Sequence, residues 1–82
     1  MKRSKGQHEL RVKELGYKTK VTKTSVTILF DDGDIYATFK LVKSDNMYFI
    51  YNDGNIINDE LDFYDTYEEA IESCFYYFLT RY

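Results

Sequence analysis

The stretch "SVTILFDDGDIYATFKLVKSDNMYFIYNDGN", residues 25–55, carries the reading on which the fold turns. Val26, Ile28 and Phe30 alternate with Thr and Leu, which is the period of a strand with one face buried. "DDGD", residues 31–34, holds the Asp-Gly pair that tight hairpins favour, because glycine accepts positive φ. "IYATFKLV" then resumes the alternation, with Ile35, Ala37, Phe39 and Leu41 expected inward and Tyr36, Thr38 and Lys40 outward. "KSDN" predicts a second turn, "MYFIY" a third strand, "NDGN" a third turn of the same chemistry, and "IIN" a short fourth strand. The run "KTKVTKTSVTILF", residues 18–30, reads as the first strand, rich in Val and Thr. An antiparallel meander over residues 17–61 is the expectation.

Working outward, "DFYDTYEEAIESCFYYFLTRY" predicts a helix over 66–81. Asp65 or Thr66 is the expected cap, Thr66 and Glu69 have the spacing of a capping box, and acids in a first turn complement the helix dipole. Tyr67, Ala70, Ile71, Cys74, Phe75, Phe78 and Leu79 fall on one apolar stripe, expected to lie across the sheet with Phe75 and Phe78 against Ile28, Phe39 and Phe49. At about 100° per residue, Glu69, Glu72, Ser73, Tyr76 and Thr80 should then point away from the core. Upstream, "SKGQHELRVKELGY" offers an N-cap at Ser4 and a stop at Gly16, so residues 1–16 read as a short basic helix (about 6–15) or a basic arm. The fold class expected is a single α+β domain: a meander of three or four strands packed by the C-terminal helix.

Composition bounds the function. Eighty-two residues with 44% hydrophobic and 18% aromatic content form one folded domain. The chain has no run of eighteen apolar residues, and its start lacks the apolar stretch of a signal peptide, so a cytoplasmic protein without membrane contact is expected. The single Cys74 excludes an internal disulfide and reads as a small core hydrophobe. The richness in Lys, Tyr, Ile, Phe and Asn, with no Pro and four Gly, hints at a low-GC bacterium, its phage or a mobile element.

Enzyme chemistry finds little to work with. His8, the only histidine, reads as a solvated side chain of the polar N-terminal segment. No Ser or Cys nucleophile comes with an evident base, no glycine-rich phosphate loop appears, and "DDGD" lacks the longer oxygen ladder of a calcium loop. No catalytic residue, metal ligand or cofactor is therefore assigned.

The charge is distributed unevenly. Residues 1–23 hold eight Lys or Arg against two Glu, a local net of +6, while residues 24–82 hold three against twelve acids, a net of −9. Asymmetry of this size directs attention to partners. "NDELDFYD" places Asp59, Glu60, Asp62 and Asp65 within seven residues, and the hairpin tip adds Asp31, Asp32 and Asp34. With Glu69, Glu72 and an exposed Tyr76, these predict an acidic, tyrosine-bearing partner surface.

Two segments resemble known families. "SKGQHELRVKELGYK" resembles the first helix of the PD-(D/E)XK nucleases, which implies metal-dependent cleavage with Glu9 as the helix glutamate and Asp34 as the metal-binding aspartate. Thr38 stands where that pattern has the carboxylate ahead of Lys40, so a degenerate nuclease would be implied. The order helix, three strands, helix is similar to the double-stranded RNA-binding domain, whose second helix begins with a lysine cluster; here that site reads "DTYEEA".

The function expected is non-catalytic: a phage or mobile-element inhibitor whose acidic face mimics nucleic acid and docks onto a basic groove of a host defence or nucleic-acid-handling protein. In size, charge and style this is similar to anti-CRISPR and other DNA-mimic proteins. The alternative is a small nucleic-acid-binding protein using the basic segment, residues 2–23.

Overall fold

The computed structural model describes residues 6–61 and 64–82. Helix α1 (Gln7–Glu14) leads into strands β1 (Lys18–Val21), β2 (Ser25–Leu29), β3 (Ile35–Ser44), β4 (Met47–Asn52) and β5 (Asn55–Ile56). A 3₁₀ turn (Asn58–Glu60) and helix α2 (Tyr67–Arg81) complete the chain. The strands form one antiparallel sheet in the order β1-β2-β3-β4-β5, and the helices lie on one of its faces. The α+β meander read from the sequence is the observed fold, with five strands instead of three or four. Among the described residues no helix is long and apolar enough to cross a membrane.

The additional strand comes from residues 18–30, which form two strands and not one. Val21 pairs with Val26 across a turn at Thr22–Thr24. That turn contains neither Gly nor Asn and is held by hydroxyls: Thr22 Oγ1 and Ser25 Oγ are 2.8 Å apart, and the Thr24 N–H donates to Thr22 Oγ1 at 3.3 Å. The other turns follow the expected chemistry. Asp53 and Gly54, both at positive φ, join β4 to β5 as a two-residue hairpin loop, and Asp45 at φ 53° opens the β3–β4 loop.

The core forms where the inner face of the sheet (Val26, Ile28, Ala37, Phe39, Leu41, Ile50) meets Ala70, Cys74, Phe75 and Phe78 of α2 and Val12 of α1. The predicted apolar stripe of α2 is the packed one. Burial pushes the Cys74 thiol far above its ordinary range, in keeping with its reading as a core residue.

Three orientations differ from expectation. The β2–β3 register slips between Ile28 and Leu29, where Ile28 faces Ala37 but Leu29 faces Ile35. Tyr36 is the extra residue of this bulge, so it turns inward onto Phe78 while Ile35 is left 66% exposed. Phe49 lies opposite Val42 on the outer face, because Ile50 takes the inward position. Glu72 and Ser73, expected to face solvent, are buried, because α1 packs across that side of α2. A helical wheel drawn against a sheet alone omits this second contact.

The caps show how the helices are fixed. Thr66 Oγ1 accepts from the Glu69 N–H at 3.1 Å, and Glu69 Oε1 accepts from the Thr66 N–H at 3.2 Å, the capping box read from the sequence. The described N-cap of α1 is Gly6, whose side offers no acceptor; Ser4 lies outside the described residues. Glu72 supplies what is missing, since its Oε1 accepts from the His8 N–H at 2.9 Å. Its Oε2 is buried with no hydrogen-bond partner among the described residues. Glu72→Ala should therefore lower stability by about 1–2 kcal/mol, the size of a lost cap. Glu72→Gln keeps an acceptor and removes a buried charge, so its unfolding midpoint should equal or exceed the parent's in a urea titration. A Gln variant as unstable as the Ala variant would show that Glu72 does more than cap α1.

Candidate functional site

Charge follows the architecture. The charged residues of the five strands are Lys18, Lys20, Lys40 and Lys43, and no strand contains an acid. Among the described residues the acids occupy the turns, bends and helices instead. In a meander, alternate turns point toward one end, so the β2–β3 turn with Asp31, Asp32 and Asp34 and the β4–β5 turn with Asp53 face the same way, the second set back by about 13 Å because β4 stops opposite Phe39 while β2 runs on to Ile35. The C-terminus of α2 reaches that end as well: the Tyr82 hydroxyl donates to Asn52 Oδ1 at 3.0 Å, and its ring meets that of Tyr36 at 5.4 Å.

Exposed aromatic surface accompanies these acids. Phe30 stacks on Tyr36 at 4.5 Å and leaves 40% of itself in solvent, and Tyr82 leaves 45%. The turn itself is well defined: the Phe30 N–H donates to the Asp34 carbonyl at 2.8 Å, Gly33 adopts φ 96°, and Asp32 Oδ1 accepts from the Asp34 N–H at 3.0 Å. Asp31 and Asp34 thus project from an ordered frame with their carboxylates exposed.

The predicted partner residues divide around this end. Asp31, Asp32 and Asp34 share it, and Glu60 belongs near it through an ion pair with Arg81 at 3.0 Å. Asp59 is exposed on the adjoining 3₁₀ turn. Glu69 is elsewhere. It sits at the start of α2, about 18 Å along the helix axis from Arg81, where Tyr67 bonds Thr22 of the opposite turn. Tyr76 is 39% exposed with its ring 5.3 Å from that of His8, so this histidine is half-buried against an aromatic partner, with part of its surface in solvent. Glu72 is corrected outright, as a buried cap of α1. Asp62 lies outside the described residues. The single broad surface expected from the sequence is therefore an acidic, aromatic end plus a separate group of acids at the start of α2.

The nuclease-like positions are engaged differently from a metal pair. Glu9 accepts from Thr19 Oγ1 at 3.2 Å and pairs with Lys13 at 3.5 Å, while Asp34 stands on the hairpin tip. Among the described residues, no three His, Cys, Asp or Glu side chains gather as a metal-binding group.

What the sequence reading missed is the aromatic partnership of Phe30, Tyr36 and Tyr82, and the outer face of the sheet. There Lys18, Lys20, Lys40, Val42, Phe49 and Tyr51 share one side. Dividing residues 18–30 into two strands would have given this parity, since alternate positions of paired strands share a face. A comparison of the chain with protein-family models, curated proteins and solved structures finds no match.

Proposed function

We propose that this protein is a non-catalytic inhibitor that acts in the cytoplasm as a phage or mobile-element product, and that it docks its acidic, aromatic end onto a basic groove of a nucleic-acid-handling host protein. The observation that supports this reading is the juxtaposition of Asp31, Asp32 and Asp34 with the exposed rings of Phe30 and Tyr82 at one end of the domain. Carboxylates on a fixed frame present negative charge as a nucleic-acid backbone does, and half-exposed rings supply the apolar anchor that charge alone lacks. The composition, leaning to AT-rich codons, adds the hint of a mobile-element source.

The test uses Asp31→Lys with Asp34→Lys, which spares the Asp32 carboxylate that braces the turn. Exposed charges contribute well under about 1 kcal/mol each, so the variant should fold as the parent does. Immobilised protein in nuclease-treated lysate of a low-GC bacterium should retain a nucleic-acid-binding protein and release it when DNA is added. The variant should retain it at least tenfold more weakly, and raised salt should have the same effect, because screening weakens long-range attraction. A partner whose affinity ignores both the reversal and the salt would refute docking through this end.

A further inference from the structure

The lysines left unused by the acidic end face the other way. Lys20 lies opposite Thr27, which lies opposite Thr38; Lys40 lies opposite Tyr51; Val42 lies opposite Phe49. All of these side chains share the outer face of the sheet, and no helix of the described residues covers it. Lys18, Lys20 and Lys40 are exposed, and the strands offer no acid to neutralise them. Beside Tyr51 runs a shallow groove of about 480 Å³ lined by Thr38, Lys40, Val42, Tyr51, Asp53 and Gly54.

We infer that this outer face binds single-stranded nucleic acid, with bases stacked on Phe49 and Tyr51 and phosphates held by Lys18, Lys20 and Lys40. Rings two residues apart on one face of a strand lie about 7 Å apart, so successive unstacked bases of an extended strand can each meet one. A duplex hides its base faces and cannot use them. Asp53, the one acid among the described residues that line the groove, sits at its turn end and repels a phosphate there, so the backbone runs on the lysine side. Charge complementarity is what selects this occupant over an apolar protein segment: the face mixes rings with cations alone on its strands, within a chain whose formal net charge is −3. A chain of that net charge does not attract polyanions indiscriminately, so binding has to come from a local array. The inference stands independently of the acidic-end reading. If both hold, a particle made of protein and nucleic acid offers a complement to each side.

The experiment titrates the purified 82-residue chain into fluorescein-labelled dT15 and, separately, into a 15-base-pair duplex, following anisotropy at several salt concentrations. Binding to dT15 should exceed binding to the duplex, with a log–log salt slope of about −2, as expected for three neutralised phosphates on a single strand. Lys18→Glu with Lys40→Glu should weaken dT15 binding at least tenfold and flatten the slope. Tyr51→Ala should weaken it severalfold and leave the slope unchanged, since stacking is not screened by salt. Amide chemical shifts of β3 and β4 should move on titration, which keeps the idea testable even if a ring variant folds poorly. Any of three results overturns it: no dT15 binding at low salt, binding indifferent to the lysine reversal, or binding abolished by Lys2→Ala, Arg3→Ala and Lys5→Ala together but retained in the face variants.

Discussion

Phe78→Ala should destabilise the domain by about 3–5 kcal/mol, the range for deleting a buried phenyl ring. Phe78 is only 3% exposed and receives three rings: Tyr17 at 5.2 Å and Tyr36 at 5.4 Å meet it edge-on, and Tyr82 stacks at 5.1 Å. Tyrosines cannot collapse freely into the space left behind, because Tyr82 is tied through its hydroxyl to Asn52 and Tyr36 is set by the bulge. A domain of 82 residues has a total stability of about 4–12 kcal/mol, so the loss approaches a large part of it. Chemical denaturation should show the midpoint falling by a third or more, with the slope unchanged. Phe49→Ala is the matched control. That ring lies on the outer face, half-buried, and its loss should cost about 1 kcal/mol or less. Should the Phe78 variant unfold with the parent, or the Phe49 variant prove the weaker of the two, the sheet would be covered on the wrong face.

The same pair marks what could be read in the sequence. Period decided most of the fold: the apolar stripe of α2, the capping box at Thr66 and Glu69, and the Asp-Gly hairpins each rest on local chemistry that neighbours in sequence settle among themselves. The errors arose where a decision lay elsewhere. The Thr22–Thr24 turn carries no Gly or Asn signal, because hydroxyls do the work of special φ values, so two strands read as one. The bulge at Tyr36 reverses parity with no residue that announces it. Glu72 is hidden by α1, an element sixty residues away whose own apolar face is nearly limited to Val12. The candidate site suffered most. Acids counted along the chain formed one cluster, but α2 carries Glu69 to the opposite end from Asp31 and Asp34, and the lysines of β1 become a surface only when paired with β2 and β3. Linear charge asymmetry was legible; its assignment to faces required the register.

Asn58→Ala should be the most damaging change outside the apolar core. β5 pairs with β4 only at Tyr51 and Asn52, so the remaining edge of β4 needs other partners. The Asn58 carboxamide provides them: its Oδ1 accepts from the Ile50 N–H at 2.7 Å and its Nδ2 donates to the Tyr48 carbonyl at 2.7 Å. One side chain thus imitates a neighbouring strand, while the Ile57 N–H donates to the Ile50 carbonyl at 2.9 Å and the Tyr48 N–H to the Tyr64 carbonyl at 2.8 Å on either side. Nothing in the residue's neighbours in sequence points to this role, since Asn in a loop ordinarily reads as turn chemistry. Removal leaves the Ile50 N–H, which is buried, and the Tyr48 carbonyl, which is partly buried, without these partners, at about 1–3 kcal/mol each as an upper range. Replacement by Asp separates the two contributions, because a carboxylate accepts from Ile50 but cannot donate to Tyr48. Destabilisation should therefore be smaller for Asp than for Ala only if the N–H side dominates, and the pair of midpoints reads out which bond matters. Unpaired edges also recruit other chains. The Ala variant should accordingly self-associate at concentrations where the parent is monodisperse in light scattering, and the amide of Ile50 should exchange with solvent far faster. A variant that keeps both the parent's stability and slow exchange at Ile50 would mean that the β4 edge is protected without Asn58.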